Sequence, residues 1–114
     1  MQVASEQRGE VMVLLVEGSL DALTAPDLGK EFSTQIESGH FNLVADLAGV
    51  DYSSSAGLRV LLAAVKDTRQ NGGDLRLAAV QANVNKVLTL AGISSAINQF
   101  PDVEAAVSSF EAAS

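Results

Sequence analysis

The sequence has no cysteine and no tryptophan, and its aromatic side chains are limited to four phenylalanines and one tyrosine. Without cysteine the protein forms no disulfide, has no thiolate nucleophile and offers no sulfur ligand to a metal. So few aromatic rings also argue against a surface on which bases or sugars stack. These absences exclude thiol chemistry and disfavour carbohydrate or nucleobase recognition.

Positive charge is scarce as well. Seven Lys and Arg residues stand against fourteen Asp and Glu residues, which gives a formal net charge of −7. An acidic domain is repelled by phosphate backbones, so nucleic-acid binding is not expected. No apolar run approaches the roughly 20 residues that cross a bilayer, and the start of the chain lacks a basic segment followed by an apolar one. We therefore expect a cytoplasmic protein that does not enter the membrane.

The apolar residues that are present suffice for one folded domain. The chain has 114 residues, of which 47% are hydrophobic and 18% are charged. These fractions are typical of a globular protein, and the length fits one hydrophobic core but not two. The sequence therefore predicts a single domain over residues 1–114, without repeats or linkers.

Strand and helix patterns alternate along most of the chain. Period-2 or continuous apolar patterns predict strands at 3–7, 11–17, 41–47 and 75–80, with a short one within 93–100. Helical periodicity covers 25–36, 58–65, 84–91 and 103–110. The order predicts an α/β fold with a mixed, mostly parallel sheet of four or five strands and about four helices.

Two polar loops leave strands and enter helices, and they are residues 18–24 and 50–55. In a parallel sheet such loops lie at the carboxyl edge, where functional residues gather, so the two are expected to be neighbours. Thr24 is predicted to cap the first helix, with Asp27 at capping-box spacing.

The serine run of the second loop, Ser53, Ser54 and Ser55, directly precedes the strongest helical pattern. A phosphate at this position would be stabilised by free backbone N–H groups and by the positive end of the helix dipole. The competing interpretation is that these serines are only helix caps. The local pattern leaves both interpretations open.

Catalytic interpretations have weak support. The only histidine, His40, falls at a predicted turn, so no base is evident for a small serine hydrolase. Ser55 lacks the first glycine of a nucleophile elbow, and no phosphate-binding loop of the Gly-x4-Gly-Lys type is present. A carboxylate metal site would require convergence of Asp21, Asp27, Asp46 and Asp51. We expect no catalytic residue, no cofactor and no metal, and hence no enzyme.

Two motifs resemble the STAS domains, specifically the stand-alone bacterial anti-sigma factor antagonists. Residues 18–25, Gly-Ser-Leu-Asp-Ala-Leu-Thr-Ala, look like the family segment Gly-Glu-Leu-Asp-x-x-[Thr/Ser]-Ala. Residues 50–58, Val-Asp-Tyr-Ser-Ser-Ser-Ala-Gly-Leu, look like the segment apolar-x-aromatic-x-Asp-Ser-[Ser/Thr/Ala]-Gly-Leu. The spacing of the motifs also fits, and the resemblance extends from about residue 3 to residue 110.

The resemblance implies a mechanism called partner switching. The unmodified antagonist binds an ATP-dependent serine kinase that is also the anti-sigma factor, and so frees the sigma factor. Phosphorylation of one serine, which aligns with Ser55, releases the kinase, and a metal-dependent serine phosphatase restores the antagonist. The partner-binding residues implied in this way are Leu20, Asp21, Thr24, Ser53, Ser54, Ser55, Ala56, Gly57 and Arg59.

Two departures from the family pattern affect these expectations. Ser54 replaces the acid that usually precedes the phosphorylated serine, which makes Ser54 a rival acceptor, and Ser19 replaces a glutamate. The regulated process stays open, because some antagonists of this type control secretion or other signalling. A STAS-like scaffold or docking subunit that is never phosphorylated is the remaining alternative.

Overall fold

The structure, a computed structural model, describes residues 1–112. Residues 113 and 114, which the predicted domain includes, lie outside the described residues. Within the described range the elements are β1 (Gln2–Arg8), β2 (Val11–Glu17), α1 (Ala25–Glu37), β3 (Asn42–Gly49), α2 (Ser55–Gln70), β4 (Asp74–Ala78), α3 (Ala82–Leu90), β5 (Gln99–Phe100) and α4 (Val103–Ala112). The predicted alternation of strands and helices is confirmed.

The strands form one sheet in the order β1-β2-β3-β4-β5. The β1–β2 hairpin is antiparallel and turns at Gly9, which has a φ of +65°, and all other pairs are parallel. Glycine suits this turn because it adopts positive φ without a steric penalty. The predicted mixed, mostly parallel sheet is therefore confirmed, with five strands in residues 1–112.

Helices cover both faces of the sheet. The larger core lies under α1, α2 and α3, where Leu28, Leu61 and Leu88 are fully buried in the same cluster as Leu14 of β2. On the opposite face α4 packs on a smaller cluster that includes Val13 of β2. The apolar character of both faces of β2 follows from this double coverage.

A partly buried ionic group lies at the edge of the smaller cluster. The Asp74 carboxylate accepts hydrogen bonds from Nε of Arg69 at 2.9 Å and from Nε of Arg76 at 3.0 Å. The guanidinium of Arg76 also lies 4.0 Å above the ring centroid of Phe110 and donates to Ser109 at 2.8 Å. These contacts tie α4 to β4 at the amino end of the sheet, which is the end opposite the two polar loops.

The strand β4 ends two residues earlier than the sequence pattern predicts. Ala79 follows it with a φ of +55°, a conformation that alanine adopts at a cost of roughly 1–2 kcal/mol. Its N–H still donates to the carbonyl of Phe100 at 3.1 Å. This backbone conformation redirects the chain into the loop before α3, so the apolar Val80 is not part of the strand.

Candidate functional site

The two polar loops lie side by side at the carboxyl edge of the sheet. The Leu20 N–H donates to the Tyr52 carbonyl at 2.9 Å, and the Ser54 N–H donates to the Leu20 carbonyl at 2.8 Å. Leu20 and Ser53 thereby form an isolated parallel bridge. The predicted proximity of the loops is confirmed, and short backbone hydrogen bonds between them fix their relative position.

The first loop is held by reciprocal hydrogen bonds between Asp21 and Thr24. The Asp21 carboxylate accepts from the N–H groups of Leu23 at 2.9 Å and Thr24 at 3.1 Å. The Thr24 hydroxyl accepts from the Asp21 N–H at 2.9 Å and donates to the Ser19 carbonyl at 2.7 Å. Thr24 occupies the predicted N-cap position of α1, but its side chain makes no capping hydrogen bond and is used inside the loop.

The same geometry shifts the acidity of Asp21. Backbone hydrogen bonds from Thr24 and then Leu23 hold the pKa of the Asp21 carboxyl below its ordinary value of 3.8. Hydrogen bonds to the ionised form favour that form. The Asp21 carboxylate therefore contributes to the stability of the loop as an anion at neutral pH.

We expect this contribution to depend on pH. A depressed folded-state pKa adds stability that is present above the unfolded-state value and is lost as the pH falls through the folded-state value. The stability difference between the wild type and Asp21→Ala should therefore be constant near neutral pH and shrink below pH 3.8. Urea denaturation of both proteins across the acid range measures this difference, and a difference that grows on acidification would contradict the assignment.

The three serines of the second loop have different surroundings. The Ser53 side chain is buried, with 2% of the residue exposed, and its hydroxyl donates to the Ser54 carbonyl at 3.1 Å. The Ser54 hydroxyl is buried without a hydrogen-bond partner among the described residues. Ser55, the first residue of α2, is exposed. Of the three side chains, the structure places only that of Ser55 on the surface.

The helix-cap interpretation of these serines does not match the side-chain geometry. Ser54 occupies the N-cap position of α2 with extended backbone angles, yet its side chain makes no capping hydrogen bond. The Ser54 carbonyl accepts the first hydrogen bond of the helix, from the Leu58 N–H at 3.2 Å. Ser53 is bound to a carbonyl and Ser55 follows the cap, so the described structure shows no serine side chain capping α2.

The contact between the loops is close at Gly57. A Cβ atom at this position would lie 2.5 Å from Cγ of Leu20 and 2.7 Å from Oγ of Ser53. Such distances are far below van der Waals contact, so only glycine fits without displacement of a neighbour. Leu20 itself is 1% exposed. Its side chain thus supports the two loops from below and is not part of their surface.

The remaining residues predicted from the family motifs lie around Ser55. Ala56 is half-buried beside it, and Arg59 is exposed one helical turn later without an ion pair in the described part of the chain. Asp51 is exposed and accepts a hydrogen bond from the Ser19 hydroxyl at 3.2 Å. The structure therefore brings the predicted residues of both loops together at one edge, with Ser55 at the surface.

Two groups of residues at this site were not predicted. Leu23 and Tyr52, one from each loop, are 88% and 51% exposed. From the start of α3, the Gln81 amide donates to the Ala48 carbonyl at 2.8 Å, and the Asn83 amide donates to the Asp51 carbonyl. Apolar residues inside polar loops were a sequence signal for the first group, whereas no local pattern indicates the second.

The surroundings of the serines offer little for catalysis. His40 precedes β3 whereas the serines follow it, so the eight-residue strand separates them by roughly 25 Å. Among residues 1–112 no three His, Asp or Glu side chains are placed to share a metal ion.

In the same range no helix combines the length and apolar character needed to cross a membrane.

The described residues form a small mixed α/β domain. It has a five-stranded sheet with helices on both faces and one exposed serine at the start of α2. The family model described as STAS domain matches residues 2–106. The chain belongs to the STAS domain family.

Individual relatives agree with this membership. A Bordetella bronchiseptica protein named as a candidate anti-sigma factor antagonist, BtrV, is 31% identical over 113 residues, covering 99% of this chain and 97% of its own. An anti-sigma factor antagonist from Mycobacterium paratuberculosis has a similar structure, with a TM-score of 0.86, 24% identity and coverage of 95% and 92% of the two chains. The Bacillus cell fate determinant SpoIIAA in its phosphorylated form matches with a TM-score of 0.70, 19% identity and coverage of 91% and 96%.

Proposed function

We propose that this protein is an anti-sigma factor antagonist that acts by partner switching, with Ser55 as the phosphorylated residue. The unmodified protein binds an ATP-dependent serine kinase that is also the anti-sigma factor. Phosphorylation at Ser55 releases the kinase, and a metal-dependent serine phosphatase resets the protein. The observation that carries the proposal is the exposed residue Ser55 at the start of α2, within a surface made by two hydrogen-bonded loops. The likeness to BtrV over nearly the whole chain supports the same role.

Accessibility favours Ser55 over Ser54 as the acceptor. A kinase must place the γ-phosphate in line with the attacking hydroxyl oxygen, so that oxygen must reach the surface. The Ser54 oxygen is buried and Ser53 is 2% exposed, whereas Ser55 is exposed. Phosphorylation of Ser53 or Ser54 would therefore require the loop to detach from Leu20.

A phosphate on Ser55 is compatible with the folded protein. The N–H groups of Ser55, Ala56 and Gly57 make no hydrogen bond to any described acceptor, because they belong to the first turn of α2. An anion at such a terminus is stabilised by up to about 2 kcal/mol. The modified protein is therefore expected to keep its fold, and the effect of the phosphate falls on the interface.

The same phosphate is unfavourable in a complex that covers Ser55. It adds about −1.5 to −2 charges at neutral pH. Enclosing an unpaired charge in an interface costs several kcal/mol, whereas a micromolar complex is worth only about −8 kcal/mol in total. One modification thus removes a large share of the binding free energy without unfolding either partner.

The site of modification is testable by phosphate mapping. Incubation with the serine kinase of the anti-sigma factor class from the same genome, and ATP, should add one phosphate, located by tandem mass spectrometry at Ser55. Ser54→Ala should be phosphorylated like the wild type, since it removes only a buried hydroxyl without a partner, and Ser55→Ala should not be phosphorylated. Phosphate confined to residues outside 53–55 would refute the switch, and phosphate retained on Ser55→Ala would refute the choice of serine.

A further inference from the structure

Each loop of the candidate site carries one large exposed apolar side chain. Three large hydrophobic residues of the described chain are markedly exposed, namely Leu23 at 88%, Tyr52 at 51% and Leu90 at 79%. Two of them come from the two loops that meet beside Ser55, and the third lies at the end of α3. Large apolar side chains held on a surface beside a functional group are typical of protein interfaces, in which tyrosine is enriched among the residues that dominate affinity.

Both side chains project from backbone that is already fixed. The Leu23 N–H is bound by the Asp21 carboxylate at 2.9 Å, and the Tyr52 carbonyl accepts from Leu20 at 2.9 Å. The second loop is also held from α3 by the amide of Asn83 on the Asp51 carbonyl. Little ordering of the loops is therefore needed on binding, and a pre-ordered anchor loses less entropy in a complex.

The charge around the two anchors is mainly negative. Residues 17–27 and 50–58 contain Glu17, Asp21, Asp27 and Asp51 and no Lys, Arg or His, and the exposed Arg59 follows one helical turn after Ser55. Asp21 uses its carboxylate within its own loop, whereas Glu17, Asp27 and Asp51 are exposed. Interfaces match opposite potentials across the contact, so this acidic border fits a basic surface.

We infer that Leu23 and Tyr52 are the apolar anchors of the kinase complex, and that they enter an apolar surface on the kinase bordered by Lys or Arg. The inference rests on the proposed function and names the chemistry of its partner. Ser55 lies in the same surface as the anchors, so its phosphate would enter the apolar part of the contact and not the basic border. This position explains why a kinase that attracts an acidic protein would still release it when Ser55 gains a negatively charged phosphate.

The test uses the same purified kinase as the phosphate mapping. Its affinity is measured for four proteins: the wild type, Leu23→Ala, Tyr52→Ala and Leu90→Ala. We expect Leu23→Ala and Tyr52→Ala each to weaken binding at least about tenfold, as truncation of central anchors does. Leu90→Ala, which truncates a similarly exposed leucine at the end of α3, should bind like the wild type. Added salt should slow association of the wild type because it screens the acidic border.

The possible outcomes separate the inference from the proposed function. If the wild type binds the kinase and both loop variants bind equally well, the anchors are wrong and partner switching stands. If the wild type does not bind the kinase at all, the proposed function fails and the inference with it. If sedimentation shows a wild-type dimer that Leu23→Ala converts to a monomer, a second copy of the protein covers Leu23 and Tyr52. In that case the inference that the kinase binds them is wrong. Leu23→Ala decides the matter if Tyr52→Ala does not fold, since the Leu23 side chain is almost fully solvated.

Discussion

Replacing Ser55 with aspartate is expected to weaken binding to the kinase by at least about 100-fold while leaving the protein folded. The aspartate places a permanent negative charge at the position of the proposed phosphate, among side chains that the proposed kinase complex would cover. In the inferred apolar contact no cation would lie opposite this charge, so its desolvation would not be compensated. Isothermal titration of the kinase with each variant measures the loss directly.

The stability of Ser55→Asp should move in the opposite direction. The first turn of α2 contains no acidic residue, and an acid introduced there interacts favourably with the helix dipole by about 0.3–1 kcal/mol. Ser55→Ala should be nearly neutral in stability, since the Ser55 side chain forms no cap, and it should bind the kinase whether or not ATP is present. Weak binding combined with equal or higher stability is the signature of a switch, because a damaged fold would lower both.

Ser108→Asp provides the matched control. Ser108 is an exposed serine on α4, which packs against the other face of the sheet. It carries the same change in charge, so a general effect of acidity on association would appear in both variants. Equal binding by Ser55→Ala and Ser55→Asp would contradict the role of Ser55, whatever the control shows.

The fold could be predicted from the sequence because local patterns and tertiary packing agree. Leu43, Ala45 and Leu47 alternate and enter the same core, as a half-buried strand requires. Leu58, Leu61 and Val65 repeat at helical spacing and are all buried in α2. The packing of Val44 against α4 on the opposite face was not evident, since the alternation reports only the face with the larger side chains.

The carboxyl edge was predicted as a place but not in its detail. Serine, threonine and aspartate each have several backbone groups within reach, so sequence spacing does not determine which hydrogen bond forms. Thr24 accordingly binds Asp21 and Ser19 in place of a helix cap. The contacts from Gln81 and Asn83 join residues 33 and 32 positions apart, which no local pattern contains.

The difference among the three serines has the same origin. In sequence Ser53, Ser54 and Ser55 are equivalent hydroxyls, and the family motif alone favours the third. In the structure Ser53 pairs with Leu20 in a short bridge, and the hydroxyls of Ser53 and Ser54 are buried. Ser55 begins α2 and is exposed. The accessible acceptor is thus determined by a tertiary contact with the other loop.

Gly57→Ala is expected to be among the most destabilising single changes at this edge, although it adds one methyl group. The new Cβ would lie 2.5 Å from Cγ and 2.7 Å from Cδ2 of Leu20. Leu20 has no free space to move into, since it is 1% exposed and its backbone is hydrogen-bonded on both sides to the second loop. Overpacking of this kind costs about 1–3 kcal/mol, which lowers the thermal midpoint of a domain of this size by roughly 4–12 °C.

Gly29→Ala is the matched control, because Gly29 also lies in a helix, and a Cβ there would meet Val60 at an ordinary 3.7 Å. It should stabilise the protein by about 0.5–1 kcal/mol, since alanine is the better residue inside a helix. Calorimetry should therefore show midpoint shifts of opposite sign for the same chemical change. Shifts of equal sign and size would mean that the close approach of Gly57 to Leu20 has no energetic consequence.

A double-mutant cycle separates this steric conflict from a general defect of α2. Leu20→Ala alone should cost about 2–5 kcal/mol through the cavity that it leaves, but it also removes Cγ and Cδ2 of Leu20, two of the three atoms that the methyl group added by Gly57→Ala would strike, and leaves Oγ of Ser53. Because the two changes share one contact, the free energies should be clearly less than additive, and the cost of Gly57→Ala that remains in the Leu20→Ala background should reflect the clash with Oγ of Ser53 at 2.7 Å. Strict additivity would show that the cost of Gly57→Ala does not arise from the contact with Leu20. The coupling would show that the contact between Gly57 and Leu20 lets the loop with Asp21 position the start of α2, where Ser55 lies.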